Sequence, residues 1–225
     1  MNNELDSCLS ELDNILNSLM TANFYQEYLI TNGPSFGNEI ENILMLDKVQ
    51  SLSDIIFEHM IIQLYKLFEI HSQLGKCLVN INQKKLMQSL KEDWKDIYKN
   101  KGKIILWRNK LITHSEKQSK NYVPYYKVDP NYRKTIYEIF SISRYAVTYL
   151  WAILRNITTQ FVESTETKYE EMNNLEKEDA IRLLAKTIIN EKKFFKKINN
   201  NLKKNGFDSV IYCGYEKWPM NVSEK

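Results

Sequence analysis

Glycine and proline are scarce, at 6 and 4 residues in 225. An all-β chain of this length needs many more turn residues, so the scarcity points away from sandwiches and barrels and toward helices. Cys8, Cys77 and Cys213 are odd in number, far apart in sequence, and form no Cys-x-x-Cys pair. Neither a disulfide framework nor a zinc site is supported, and no metal or cofactor is expected. No apolar run approaches the length needed to cross a bilayer. The start, Met1-Asn2-Asn3-Glu4-Leu5-Asp6, lacks the basic then apolar run of a signal peptide. The expectation is a soluble, cytoplasmic protein with no membrane partner. A strong charge of one sign is also missing. The net charge of +3 permits nucleic-acid binding without arguing for it. Arginine occurs only five times in a lysine-rich chain, which makes each one notable. Lysine is the default cation here and offers no planar fork to a phosphate.

What is present is apolar periodicity. Hydrophobic residues make up 43% of the chain, too many for wholesale disorder and enough for one helical core. Leu5, Cys8, Leu9, Leu12, Ile15, Leu16, Leu19 and Met20 keep a three-four spacing, which predicts a first helix from about Glu4 to Ile30. Thr31 to Asn38 holds the strongest turn signals and should stop it. A second helix is expected from about Glu39 to Ser72, broken near Gln50 where Ser51-Leu52-Ser53-Asp54 resembles a capping box, with Gly75 just past its end. Asp54, Glu58, His59 and Glu69 would lie on its polar side. A third helix is expected from Gln83 to Lys99 and a short fourth from about Ile104. Glu116 to Asn131 reads as a polar loop, of a length often tied to function. The fifth helix, about Asn131 to Val162, is apolar on more than one face and should be central or at a subunit interface. Glu163 to Asp179 reads as an acidic hinge. A last helix from about Glu176 to Asn205 carries Lys192, Lys193, Lys196, Lys197, Lys203 and Lys204, a run that reads first as a solvated face and only second as an RNA-backbone contact. The expected fold is all-α, an up-and-down bundle of five or six helices over residues 1–162. Residues 163–225 then supply the hinge, the basic helix and a tail packed on the same domain.

Chemistry concentrates at Trp107-Arg108-Asn109-Lys110-Leu111-Ile112-Thr113-His114-Ser115. Breaking an RNA phosphodiester needs a group that moves protons near neutral pH and a cation for the developing phosphate charge, and histidine and arginine suit those roles. An Arg and a His at such spacing arise by chance in roughly one chain of five. Taken alone, a salt-bridged arginine and a turn-capping histidine are the simpler reading. On a continuous helix the six residues turn through about 600°, so Arg108 and His114 point about 120° apart and stand about 9 Å apart along the axis. Convergence therefore asks for two copies of the segment, or for a helix that unwinds before His114. Of the other histidines, His59 reads as a surface or groove residue and His71 as a residue meeting the carbonyl dipole at a helix end. Asp54 and Glu58 read as solvated helix charges or, less simply, as carboxylates supporting the site.

The segment from Trp107 to Glu116 resembles the signature of HEPN domains, helical proteins that are mostly metal-independent endoribonucleases. Their mark is an arginine, commonly a polar residue after it, then a short spacer and a histidine. The segment is most similar to the abortive-infection (Abi-U type) set, although Thr113 stands where that set usually has a small residue. Leu64-Tyr65-Lys66-Leu67-Phe68-Glu69 is similar to that set's second core helix. The resemblance implies a homodimer with two motifs lining a cleft and RNA as substrate. His114 would be general base or acid, Arg108 would stabilise the phosphate, and Asn109 would position one of them. Lys110 and Ser115 would contact RNA, and a cognate antitoxin would be a possible partner. The alternative is a non-catalytic HEPN-like module that binds RNA or protein.

Overall fold

The computed structural model describes residues 3–32, 39–78, 80–117, 131–158 and 178–210. These form helices α1 (Asn3–Asn32), α2 (Glu39–Cys77), α3 (Ile81–Ser89), α4 (Lys91–Tyr98), α5 (Lys101–Lys117), α6 (Tyr132–Ile157) and α7 (Glu178–Lys204), with no strand among the described residues. The architecture is an all-α bundle. None of these helices is long and apolar enough to cross a membrane.

The apolar periodicity becomes the core directly. Leu12, Ile15, Leu16 and Leu19 of α1 and Phe57, Met60, Ile61, Leu64 and Leu67 of α2 are at most 1% exposed. Both sets follow the three-four spacing that keeps one helical stripe facing inward. α1 lies along α2 and α6, α7 closes on α6 and α1, and α5 packs on α2. α6 is central, as its apolar girth implies: Phe140, Ala146, Tyr149, Leu150, Ala152 and Ile153 are fully buried around more than one side.

Several boundaries differ from the sequence expectation. α2 is continuous through Gln50 and Gly75; the capping-box pattern at Ser51 yields because Ser53 is buried and exchanges hydrogen bonds with Gln26 of α1 at 3.3 Å. The expected third helix is two short ones sharing Leu90, the first capped by the Asn80 side chain, which accepts from the Asn82 N–H at 2.8 Å. Gly102 lies inside α5, which also runs on through Glu116 and Lys117. The rest of the expected loop, 118–130, lies outside the described residues, as do the turn at 33–38, the hinge region 159–177 and the tail from 211 onward.

The end of α7 is set by local chemistry. Gly206 adopts φ +76°, a left-handed conformation that a Cβ disfavours. The Gly206 N–H then reaches the Lys203 carbonyl and the Phe207 N–H the Leu202 carbonyl, the paired bonds that satisfy a helix C-terminus. The chain beyond is held by two amide side chains. Asn156 donates to and accepts from the Asp208 backbone, and Asn199 does the same for Val210, which is buried.

Candidate functional site

The motif helix is anchored by an aromatic cluster. Trp107 is buried on the inner side of α5, edge-on to Phe57 of α2 with centroids 5.2 Å apart and 6.1 Å from Tyr132 of α6. Phe57 and Tyr132 themselves meet edge-to-face at 5.5 Å. Such pairs add to what their buried area alone gives. Three helices therefore agree on the rotation of α5, and the next residue, Arg108, emerges at the rim of the core.

There Arg108 is half-buried, its Cζ 4.0 Å from the centroid of the Tyr65 ring of α2. The ring face attracts the guanidinium while leaving its N–H edge for an anion. No carboxylate among the described residues pairs with Arg108. Asn109 and Lys110 are exposed, and the Lys110 ammonium lies 4.4 Å from the Trp107 ring centroid.

α5 stays helical from Lys101 to Lys117, so the segment does not unwind before His114. The backbone positions of 108 and 114 accordingly stand about 120° apart around the helix. Position 114 falls within about 20° of Trp107 and position 115 within about 20° of Arg108, each two turns further on. The side chains of residues 111–117, His114 and Ser115 among them, lie outside the described residues.

Tyr65 borders an unusual surface. Leu52, Ile55 and Ile62 of α2 are 43%, 61% and 45% exposed, and with exposed His59 they keep a three-four-three spacing along one face. Apolar residues at that spacing are what a helix presents to a partner helix. Tyr65, three residues past Ile62, carries Arg108 on the flank of this stripe.

Asp54 is not a solvated charge on a polar face. It is 2% exposed and accepts a hydrogen bond from the Tyr132 phenol, so it braces the aromatic cluster that sets α5. Glu58, one turn later, is half-buried. His71 also departs from its sequence reading. It lies within α2 rather than at its end, stacks on Trp94 at 3.6 Å, and shares a 2.7 Å hydrogen bond with the buried Tyr149 hydroxyl. Burial lowers its pKa to about 4, leaving it neutral at physiological pH. Of the lysine run, Lys197 belongs to the fold. It contacts Asp96 at 2.7 Å and fully buried Asp93 at 3.1 Å, and although burial opposes its charge, the bonds from these two carboxylates raise its pKa.

A second charged centre escaped the sequence reading. Arg144 of α6 is 6% exposed and meets Glu27 of α1 at 2.6 Å and Glu191 of α7 at 2.5 Å. Burial raises the Glu27 pKa, and Arg144 only partly offsets this. The available signal was an arginine amid the most apolar helix of a chain that rarely uses arginine.

A shallow groove of ≈ 540 Å³ lies elsewhere between α1 and α2, lined by Glu11, Lys66, Glu69, Ile70, Ser72 and Gln73. Among the described residues no three His, Cys, Asp or Glu side chains gather in a way that could hold a metal ion. Comparison of the chain with protein-family models, with curated proteins and with solved structures returns no match.

Proposed function

We propose that the chain is a HEPN-type, metal-independent endoribonuclease that acts as a homodimer, in the role of a toxin or abortive-infection effector. The observation that carries this reading is Arg108: a half-buried guanidinium on the Tyr65 ring, next to an exposed apolar stripe on α2. The architectural arginine of this fold, Arg144, is by contrast buried and held by two carboxylates.

In this reading the α2 stripes of two copies meet and bring their α5 helices together. His114 of one copy takes the proton from a ribose 2′-hydroxyl. The 2′-oxygen then forms a bond to the adjacent phosphorus while the bond to the 5′-oxygen breaks, and His114 of the second copy protonates that leaving oxygen. The products are a 2′,3′-cyclic phosphate and a 5′-hydroxyl. Arg108 stabilises the charge on the non-bridging oxygens, Asn109 positions it or the histidine, and Lys110 and Ser115 contact the RNA backbone. Two copies resolve the 120° divergence within one helix.

Purified protein incubated with total RNA in EDTA tests the reading. Cleavage that is lost in both Arg108→Ala and His114→Ala supports it. Absence of cleavage by the wild type, or equal cleavage by the variants, overturns it. Salt-sensitive RNA or protein association without cleavage would point to the binding module instead.

A further inference from the structure

Cys8 and Cys77 are separated by most of two helices in sequence, yet α1 and α2 pack along one another, so that Glu11 and Gln73 line one groove. Cys8 and Cys77 stand one turn further along, Cys8 in the core and Cys77 packed against it, close enough for Cys77 to bear on the Cys8 thiol. Cys8, in the second turn of α1, is 7% exposed. Cys77, the last residue of α2, is half-buried. The pair therefore has one more accessible thiol and one held behind it, the arrangement in which an oxidised cysteine finds a resolving partner before it is oxidised further.

We propose that Cys8 and Cys77 are a site of reversible oxidation at which a peroxide closes a disulfide between the start of α1 and the end of α2. The Cys77 sulfur attacks the peroxide, forming an S–O bond as the O–O bond breaks; the released oxygen leaves as water and Cys77 becomes a sulfenic acid. The Cys8 sulfur then attacks the Cys77 sulfur, forming the S–S bond as the S–O bond breaks, and the hydroxyl leaves as water with the Cys8 proton. Two thiols lose two electrons and one hydrogen peroxide becomes two waters.

Burial keeps the Cys8 thiol protonated by raising its pKa, with the contact to Cys77 adding to this. Cys8 is thus a poor nucleophile toward peroxide, and the more accessible Cys77 reacts first. The site lies about 18 Å along α2 from Tyr65, so it does not depend on the proposed ribonuclease centre.

The test uses the full reduced chain and hydrogen peroxide as the probe. After oxidation, free thiols are alkylated and a non-reducing digest is read by mass spectrometry. The expected result is a linked peptide pair containing Cys8 and Cys77, with a mass loss of about 2 Da reversed by dithiothreitol. The melting temperature should rise by several degrees on closure. The link should persist in Cys213→Ser and vanish in Cys77→Ser, while Cys8→Ser should leave a Cys77 sulfenic acid that dimedone traps. A link through Cys213, a link between two chains, or oxidation of Cys77 to the sulfinic acid with Cys8 still alkylated would overturn the proposal. Should Cys8→Ser fail to fold, the Cys213→Ser chain, which keeps the native pair, still decides the matter.

Discussion

Arg108 and Arg144 are two answers to the problem of seating a guanidinium in a helical bundle. Arg144 is buried and held by two carboxylates from two other helices, so it joins α1, α6 and α7 at one point. Arg108 is half-buried and, among the described residues, rests on an aromatic face of α2. A charge taken out of water must be paired in place, which makes the first arginine architectural. A charge at the rim keeps part of its hydration and can exchange it for an anion, which leaves the second one for a ligand. The difference lies in depth and partners, and residue type does not predict it.

The strongest way to break this comparison is to remove Arg144. Arg144→Ala should cost about 3–5 kcal/mol in urea unfolding, because it strands two buried carboxylates. Replacing Arg144, Glu27 and Glu191 together with apolar residues of similar volume should recover most of that loss. A small effect of the single change would show that the three charges are not interdependent.

Arg108→Ala should do the opposite. Unfolding free energy should change by less than about 1 kcal/mol, the scale of a partly exposed cation–π contact. RNA cleavage should fall by roughly 10²–10³-fold, as for removal of one group that stabilises transition-state charge. Equal losses of stability by Arg108→Ala and Arg144→Ala would erase the distinction.

Acid supplies a third test, at the buried layer where His71 meets Trp94 and Tyr149. The folded pKa of about 4 lies below the ordinary value of 6.5, so the unfolded chain binds the extra proton between those pH values. Stability should therefore fall as pH drops from about 6.5 to 4, by at most about 3 kcal/mol from this group. His71→Phe removes that contribution. If the variant and wild type lose stability in parallel over this window, as read by urea midpoints, His71 does not titrate as described.

The smallest expected effect concerns the shelf beneath Arg108. Tyr65→Leu keeps apolar bulk and removes the ring face, so cleavage should drop only several-fold, the kinetic equivalent of about 1 kcal/mol. A loss as large as that of Arg108→Ala would mean that Tyr65 has a role of its own in the reaction.

Much of the bundle was legible in the sequence because helix identity is a local property. Leu12, Ile15, Leu16 and Leu19 announce their face through spacing alone, and the same stripe is buried. The boundaries were less legible: Gly75 reads as a helix stop but lies inside α2, since packing of the flanking turns outweighs a cost of about 1 kcal/mol for one glycine. For the candidate site, spacing marked Arg108 and the 120° offset to position 114, while the Tyr65 shelf did not show. Asp54 and His71 were misread for a common reason. Each is polar in a helix pattern, and each is satisfied by a tyrosine 78 residues away, Tyr132 and Tyr149 respectively.

The sequence by itself determined that the chain is helical, which stripes face inward, and which segment concentrates an arginine, an amide and a histidine. These follow from the 3.6-residue period and from side-chain chemistry, which need no distant partner. Only the tertiary structure decided which charges are buried as a triad, that Arg108 rests on Tyr65, and that Cys8 and Cys77 fall at the same end of the α1–α2 pair. Those depend on which helices become neighbours, a choice made by the fit of whole faces in a close-packed core rather than by any local run of residues.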